Sequence, residues 1–247
     1  MVRYAVALIA ATLLFCSPAT ASAPAVPAPV LAAAQTALGD NAGAIVHERH
    51  ISVSAVAGPA RFTQQNDAVL LMVDGAYRHI HFSKIVENGH TLSAEEVAKR
   101  ENENNAQFER GDGFFKQPYD KRYLADYAYD VVPQCTCPSG QTEVHFSTTM
   151  HDAQHGEGTM RIDQTTGHVI EVRYTPFVFP DHANAGTTTE TFGEPIAGLW
   201  TIVRIDREYT GRVLFVPGHG TATETLDHFR RFADPEAGVA FYRSATL

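Results

Sequence analysis

Hydrophobic and polar residues alternate with a period of two over most of this chain, and glycine-containing turns interrupt the alternation at intervals. Residues 44–56, AIVHERHISVSAV, place Ile45, Ile51 and Val53 on one side and Glu48, His50, Ser52 and Ser54 on the other, the pattern of a long half-buried strand. A second strand is expected over 62–73. Asp74-Gly75 turns it into a third, 76–87, which ends at Asn88-Gly89; both dipeptides are strong hairpin signals because they tolerate positive φ. Further strands are expected over 123–132, 142–150, 159–163, 168–174, 187–192, 199–209 and 212–216, with turns at Thr166-Gly167 and Gly211. Residues 221–232, TATETLDHFRRF, are read as a strand for their threonines, a helix from Glu224 being the alternative, and Gly218-His219-Gly220 before them as a tight turn.

Two segments carry helical patterning instead. VLAAAQTALGDNAG has the alanine and leucine content of a short helix closed by Gly39, and Ser93 with Glu96 forms a capping box ahead of a highly charged helix that closes at Gly111. That second helix offers little besides Val97 to a core, so it belongs on a rim. About nine to ten strands, mostly joined by short turns, and about two helices predict a β-rich α+β fold with a single curved antiparallel sheet.

The first 21 residues change the picture. Arg3 is their only charge, residues 5–15 form an apolar run too short to span a bilayer comfortably, and small-residue cleavage sites follow at Ala19-Thr20-Ala21 and Ala21-Ser22-Ala23. This is a secretory signal peptide, 1–21, with the cut after Ala21, since Pro24 would follow a cut after Ala23. Phe15 before Cys16 departs from a lipobox. The expected organisation is this leader, a Pro/Ala linker over 22–29, and one β-rich domain over 30–247, exported to a periplasm or secreted. No other apolar run is long enough to span a membrane after cleavage. The formal net charge of −9 argues against nucleic acid as a partner.

Candidate chemistry is sparse. The run HDAQHGEG gives a weak set of metal ligands, His145, His151, His155 and Glu157; the His151/His155 spacing needs a helix that Gly156 and Gly158 oppose. Residues 158–174 read better as a hairpin turning at 164–167, with Asp163 and Thr165 holding the turn and Gly167 supplying positive φ. Cys135 and Cys137, framed by Pro133 and Pro138, are the only cysteines left after export and are expected to form a loop disulfide, with a redox or soft-metal pair and free thiols as alternatives. His47 and His50 fall on opposite faces of their strand. The sequence holds no Gly-x-Ser-x-Gly, no His-Glu-x-x-His, no phosphate-binding loop and no dinucleotide fingerprint, so no catalytic residue and no cofactor is assigned.

The leader, the short Ala-rich helix, long strands meeting at Asp-Gly and Asn-Gly, the charged helix, and the hairpin GTMRIDQTTGHVIEVRY with its Ile-Asp-x-x-Thr-Gly pattern at Ile162 to Gly167 together resemble the periplasmic lipoprotein carriers of the LolA/LolB type. The resemblance implies a half-barrel closed by helices, whose concave apolar face holds acyl chains; similar proteins also serve as sensors of envelope components. On this reading the chain is a non-catalytic binding protein for a lipid, a lipoprotein or another apolar ligand. An envelope sensor or assembly module that binds a protein partner is the first alternative, and a secreted metal-dependent hydrolase the second. The aromatic and aliphatic alternation makes Tyr127, Tyr129, Val144, Phe146 and Trp200 the candidate lining, with Phe177 and Phe179, in the proline-bounded stretch TPFVFPDH, as a lid or a core plug.

Overall fold

A computed structural model describes residues 25–111, 114–133, 135–213 and 215–246, so the expected leader, 1–21, lies outside the described residues. The chain begins with α1, Ala28–Asp40, which starts inside the Pro/Ala stretch and runs through Gly39 to a cap at Asn41. Four strands follow: β1 (Ala44–Ala57), β2 (Ala60–Val73), β3 (Ala76–Glu87) and the two-residue β4 (His90–Thr91). Their turns are those expected, with Asp74 and Gly75 at φ 49° and 74° and Asn88 and Gly89 at 49° and 82°. Helix α2, Ala94–Arg110, has both halves of the Ser93/Glu96 capping box and ends on Gly111 in the left-handed conformation.

After α2 come β5 (Ala128–Val131), β6 (Gln141–Ser147), β7 (Gly156–Asp163), β8 (Val169–Pro176), β9 (Ala183–Ile196), β10 (Leu199–Val213), β11 (Val216–Phe232) and α3 (Pro235–Ala245). All eleven strands form one antiparallel sheet in the order β4-β3-β2-β1-β11-β10-β9-β8-β7-β6-β5. It is one open, curved sheet. Every neighbour is the next strand in sequence except at β1 and β11, where the ends of the chain pair over 44–57 and 218–232.

Among the described residues the count of nine to ten strands and two helices therefore rises to eleven and three. Three local expectations change with it. Gly211 does not turn the chain: β10 continues through it opposite Ala183, and the hairpin turns beyond Val213. Gly218-His219-Gly220 is strand, paired with 55–57 of β1. Residues 221–232 are strand, as expected, and not the alternative helix: β1 pairs with them as far as Phe232 and β10 as far as Thr225. The strand expected from Tyr123 shrinks to β5; Leu124–Asp126 form a 3-10 turn and only 128–131 find a ladder on β6. The helix that was not expected, α3, is capped by the Asp234 side chain on the Glu236 amide, with Pro235 in its first turn.

Registers divide the side chains cleanly between two faces. Ala44, Val46 and Leu71 face α3 and pack with Tyr242; Gly238 is required there because a Cβ would run into Ala44. On the opposite, inner face, Ala68, Leu70, Ile80 and Phe82 pack with Phe108 of α2, while Val144, Met160, Ile162, Val172 and Phe192 pack with Val30 and Ala33 of α1. Strands β4 and β5 are the two sheet edges, so the connection between them must cross the sheet. It crosses the inner face: Phe114 stacks on Tyr77, Phe115 on Tyr174 at 3.6 Å between ring centroids, and Tyr119 meets Phe192 edge-on. Residues 114–127 are thus an aromatic strap over the middle of the sheet.

Candidate functional site

The structure brings Tyr127, Tyr129, Val144, Phe146 and Trp200 into one apolar cluster, together with the strap residues Phe115, Tyr119, Tyr123 and Leu124. Val144 and Phe146 are fully enclosed. The phenol of Tyr127 donates to the Lys116 carbonyl, and that of Tyr129 to the Pro118 carbonyl at 2.6 Å, so both tyrosines fasten the strap. Trp200 donates from Nε1 to the Val169 carbonyl at 2.7 Å and stacks on His168, under α1. Phe177 and Phe179 join no core cluster. They are half-exposed in the loop between β8 and β9, where Phe177 stacks on His151.

The four histidine and glutamate candidates do not converge. His155 is buried with Nδ1 2.6 Å from Asp152, His145 stands exposed beside Glu143, His151 lies on Phe177, and Glu157 is exposed on β7. The turn after β7 is as expected: Asp163 accepts from the Thr165 and Thr166 amides, and Gly167 has φ 76°. Cys135 and Cys137 are joined, with their Cα atoms 5.1 Å apart. Among the described residues, the one group of three metal-capable side chains within mutual reach is Glu48, Asp227 and His228, at a bulge in the β1/β11 ladder on the outer face. The free edge of β3 is occupied by α2: Asn105 bonds both the amide and the carbonyl of Ile80, and Glu101 accepts from the Phe82 amide.

Among the described residues, the strap and α1 leave the second half of the inner face uncovered, and α2 reaches only its inner end, with Arg100 and Asn104. Beyond the strap, Ile51, Val53, Ala55 and Ala57 of β1 lie beside Glu224, Ala222, Gly220 and Gly218 of β11, and the last three of these beside Arg207, Tyr209 and Gly211 of β10. Ile51, Val53, Ala222 and Tyr209 are half-buried and outside every core cluster. They form a shallow apolar trough, widened where the glycines remove side chains. It runs out at the tips of the β1/β2 and β10/β11 hairpins, where Phe62, Val213, Phe215 and Val216 are exposed, Phe215 by 95%. Val178 and Met150 are exposed on the neighbouring loops at the same end of the sheet. Six of the eight exposed large hydrophobic side chains of the described residues thus lie at one end of the sheet, the other two being on α1.

At its inner end the trough meets charge. Asn66, Ile51, Glu224, Ile205 and Glu190 are successive cross-strand partners, so one row across the sheet puts two carboxylates into the interior. Glu224 accepts from Arg207 at 3.0 Å and lies 3.9 Å from Arg49. Glu190 accepts from Gln117 of the strap at 2.7 Å and from the Tyr174 phenol at 3.3 Å. Burial pushes the Glu190 carboxyl up to about 7, against the lowering effects of the Gln117 bond and Arg207. A cavity of about 270 Å³ opens beside this row.

No protein-family model and no curated protein matches the sequence. Solved structures do resemble the fold. A DUF1329 family protein from Desulfovibrio piger is 10% identical, over 83% of this chain and 92% of that one, with a TM-score of 0.40. The LolA superfamily protein NE2245 from Nitrosomonas europaea is also 10% identical, over 83% and 96%, with a TM-score of 0.35. MucB in complex with MucA is 7% identical, over 82% and 97%, with a TM-score of 0.22. One of these remote likenesses is to a LolA superfamily protein, the type that the sequence resembles.

Proposed function

We propose that this chain is an exported, non-catalytic binding protein for an amphiphile, a lipid or the acyl part of a lipidated protein, which it holds in the trough of the inner face. The observation that carries the reading is the continuity of half-buried apolar surface from Ile51 to a rim where Phe215 is 95% exposed. A contiguous apolar patch left in water marks a surface with an occupant. An alkyl chain of about sixteen methylenes, at roughly 0.8 kcal/mol each, supplies on the order of 13 kcal/mol gross, enough to leave micromolar affinity after association costs. The uncovered trough replaces the Tyr127–Phe146 cluster as the place for that chain, since the cluster already holds the strap.

Titration with a dansyl-labelled fatty acid tests the reading. Saturable binding at micromolar concentration is expected, and Phe215→Ser with Val216→Ser should weaken it with little change in melting, because both side chains lie outside the core. No saturable binding would overturn the proposal.

A further inference from the structure

The cavity at the inner end of the trough is walled on its polar side by Arg49, Asn66, Arg100, Asn104, Arg207 and Glu224. Three guanidinium groups face one carboxylate there, in a chain whose overall formal charge is −9. Glu224 is committed to Arg207 at 3.0 Å and stands 3.9 Å from Arg49, beyond hydrogen-bonding distance. Among the described residues, buried Arg49 Nε has no hydrogen-bond partner, and neither has the Oδ1 atom of Asn66, a residue only 8% exposed. Arg100 reaches Glu87 through a single contact of 3.2 Å, which leaves the rest of its fork available. Buried polar atoms without partners, here one donor and one acceptor, cost stability, so a site that keeps them is built for a group that arrives later.

We propose that this cavity receives the anionic head group of the bound amphiphile, a carboxylate or a phosphate, with the alkyl chain leaving past Ile51 along the trough; the proposal rests on the binding function proposed for the chain. The chemistry fits in three ways. The guanidinium of Arg49 is planar, always charged and able to bond two oxygens at once. The Asn66 amide, turned about its last torsion, presents either its NH2 or its oxygen, so it can pair with the bare oxygens of a carboxylate or with the hydroxyl of a singly protonated phosphate. The apolar wall of the cavity, Ile51, Phe82 and Ile85, suits the first methylenes beside the head group. The guanidinium of Arg49 is already held over the Phe82 ring, 5.8 Å from its centroid, which fixes its orientation.

The test uses the full mature chain and four probes: dodecanoate, dodecyl phosphate, the uncharged dodecanol, and inorganic phosphate without a chain. Both anionic amphiphiles, or one of them, should bind at least about tenfold more tightly than dodecanol, the ratio that one charge-assisted hydrogen bond supplies. Whichever is tighter identifies the source of the anion, and competition by inorganic phosphate at low millimolar concentration would assign the cavity to phosphate as such. Arg49→Gln should remove most of that preference while leaving dodecanol binding within about twofold, and Arg49→Lys should restore part of it. Arg100→Gln, on a half-exposed side chain, serves as a second variant if Arg49→Gln does not fold. Equal affinity of the wild-type chain for dodecanol and both anions would overturn the head-group site while leaving the trough intact. Equal loss of charged and uncharged probes in Arg49→Gln would overturn it as well. Absence of binding by every alkyl probe would overturn the underlying function instead.

Discussion

His47 stacks on Phe229 with ring centroids 5.0 Å apart and planes at 21°, and neither of its ring nitrogens has a hydrogen-bond partner among the described residues. Burial drives its pKa down to about 3, and Arg49 adds to the effect. The folded state therefore refuses a proton that the unfolded chain accepts near pH 6.5. Stability that His47 provides is complete above that value and is lost as pH falls toward 3, on the order of 4 kcal/mol across the window. His47→Phe keeps the ring contact and removes the titration. Urea unfolding at pH 7 and pH 4.5 should show a clearly smaller loss of stability on acidification in the variant; parallel losses in the two proteins would mean that acid acts elsewhere.

Glu190 works in the opposite direction. Its folded pKa, about 7, is raised from 4.5, so the native state holds a proton that the unfolded state releases. Stability thus declines as pH rises from 4.5 through 7, by roughly 3 kcal/mol in all. Glu190→Gln should leave stability near pH 5 little changed and raise it at pH 8, which chemical denaturation at the two pH values would read directly. A variant less stable at pH 8 would show that the ionised carboxylate is needed by Gln117 or Arg207.

These buried charges were legible in principle. In TTTETF, Thr187, Thr189 and Thr191 mark the solvent side by their alternation, and that places Glu190 on the side of Phe192. The same parity sets Glu224 with Ala222 and Leu226, and Arg207 with Ile205 and Tyr209. A polar residue on the apolar side of a strand is the signal of an interior polar cluster, and it is readable once the strand is trusted. The hairpins were legible because Asp74-Gly75 and Asn88-Gly89 act locally. The long pairing of β1 with β11, the strap and the packing of α3 were not, since each depends on contacts between segments far apart in the chain. The aromatic alternation at Tyr127 and Phe146 marked an interior surface correctly as apolar, but periodicity carries no information about whether a ligand or another part of the same chain covers it.

The cysteine pair closes a ring of very few residues, with a sequence separation of 2. Such a short loop restricts the unfolded chain little. Replacing Cys135 and Cys137 together with Ser should move the melting midpoint only slightly, as differential scanning calorimetry with and without reductant would show. A loss beyond about 3 kcal/mol would give the pair a structural role outside its own loop.

Asn105 closes the β3 edge by donating to the Ile80 carbonyl at 3.1 Å and accepting from the Ile80 amide at 2.8 Å. Asn105→Ala frees both backbone groups at a cost of about 2 kcal/mol and leaves a strand edge that can pair with another chain. The variant should therefore melt lower and also self-associate, which light scattering against concentration would detect. A variant that melts lower yet stays monomeric at high concentration would mean that Glu101 on the Phe82 amide is sufficient to block the edge.

Fluorescence can locate the ligand, because the single tryptophan is in the wrong place to see it. Trp200 sits beneath α1, bonded to the Val169 carbonyl, at the start of β10, whereas the trough opens at the other end of that strand. Its emission should stay constant when a fatty acid binds. Tyr209 lies in the trough, half-buried beside Gly220 and over Gly186, where the missing side chain leaves room for a ring. A Tyr209→Trp variant made on a Trp200→Phe background should shift its emission to shorter wavelength as alkyl chain displaces water from the indole, with the same midpoint as direct binding. A brominated fatty acid should quench it, and the quenching should weaken when Phe215 and Val216 are changed to Ser. Strong quenching of Trp200 in the unaltered chain, with none at position 209, would move the ligand out of the trough and under the strap.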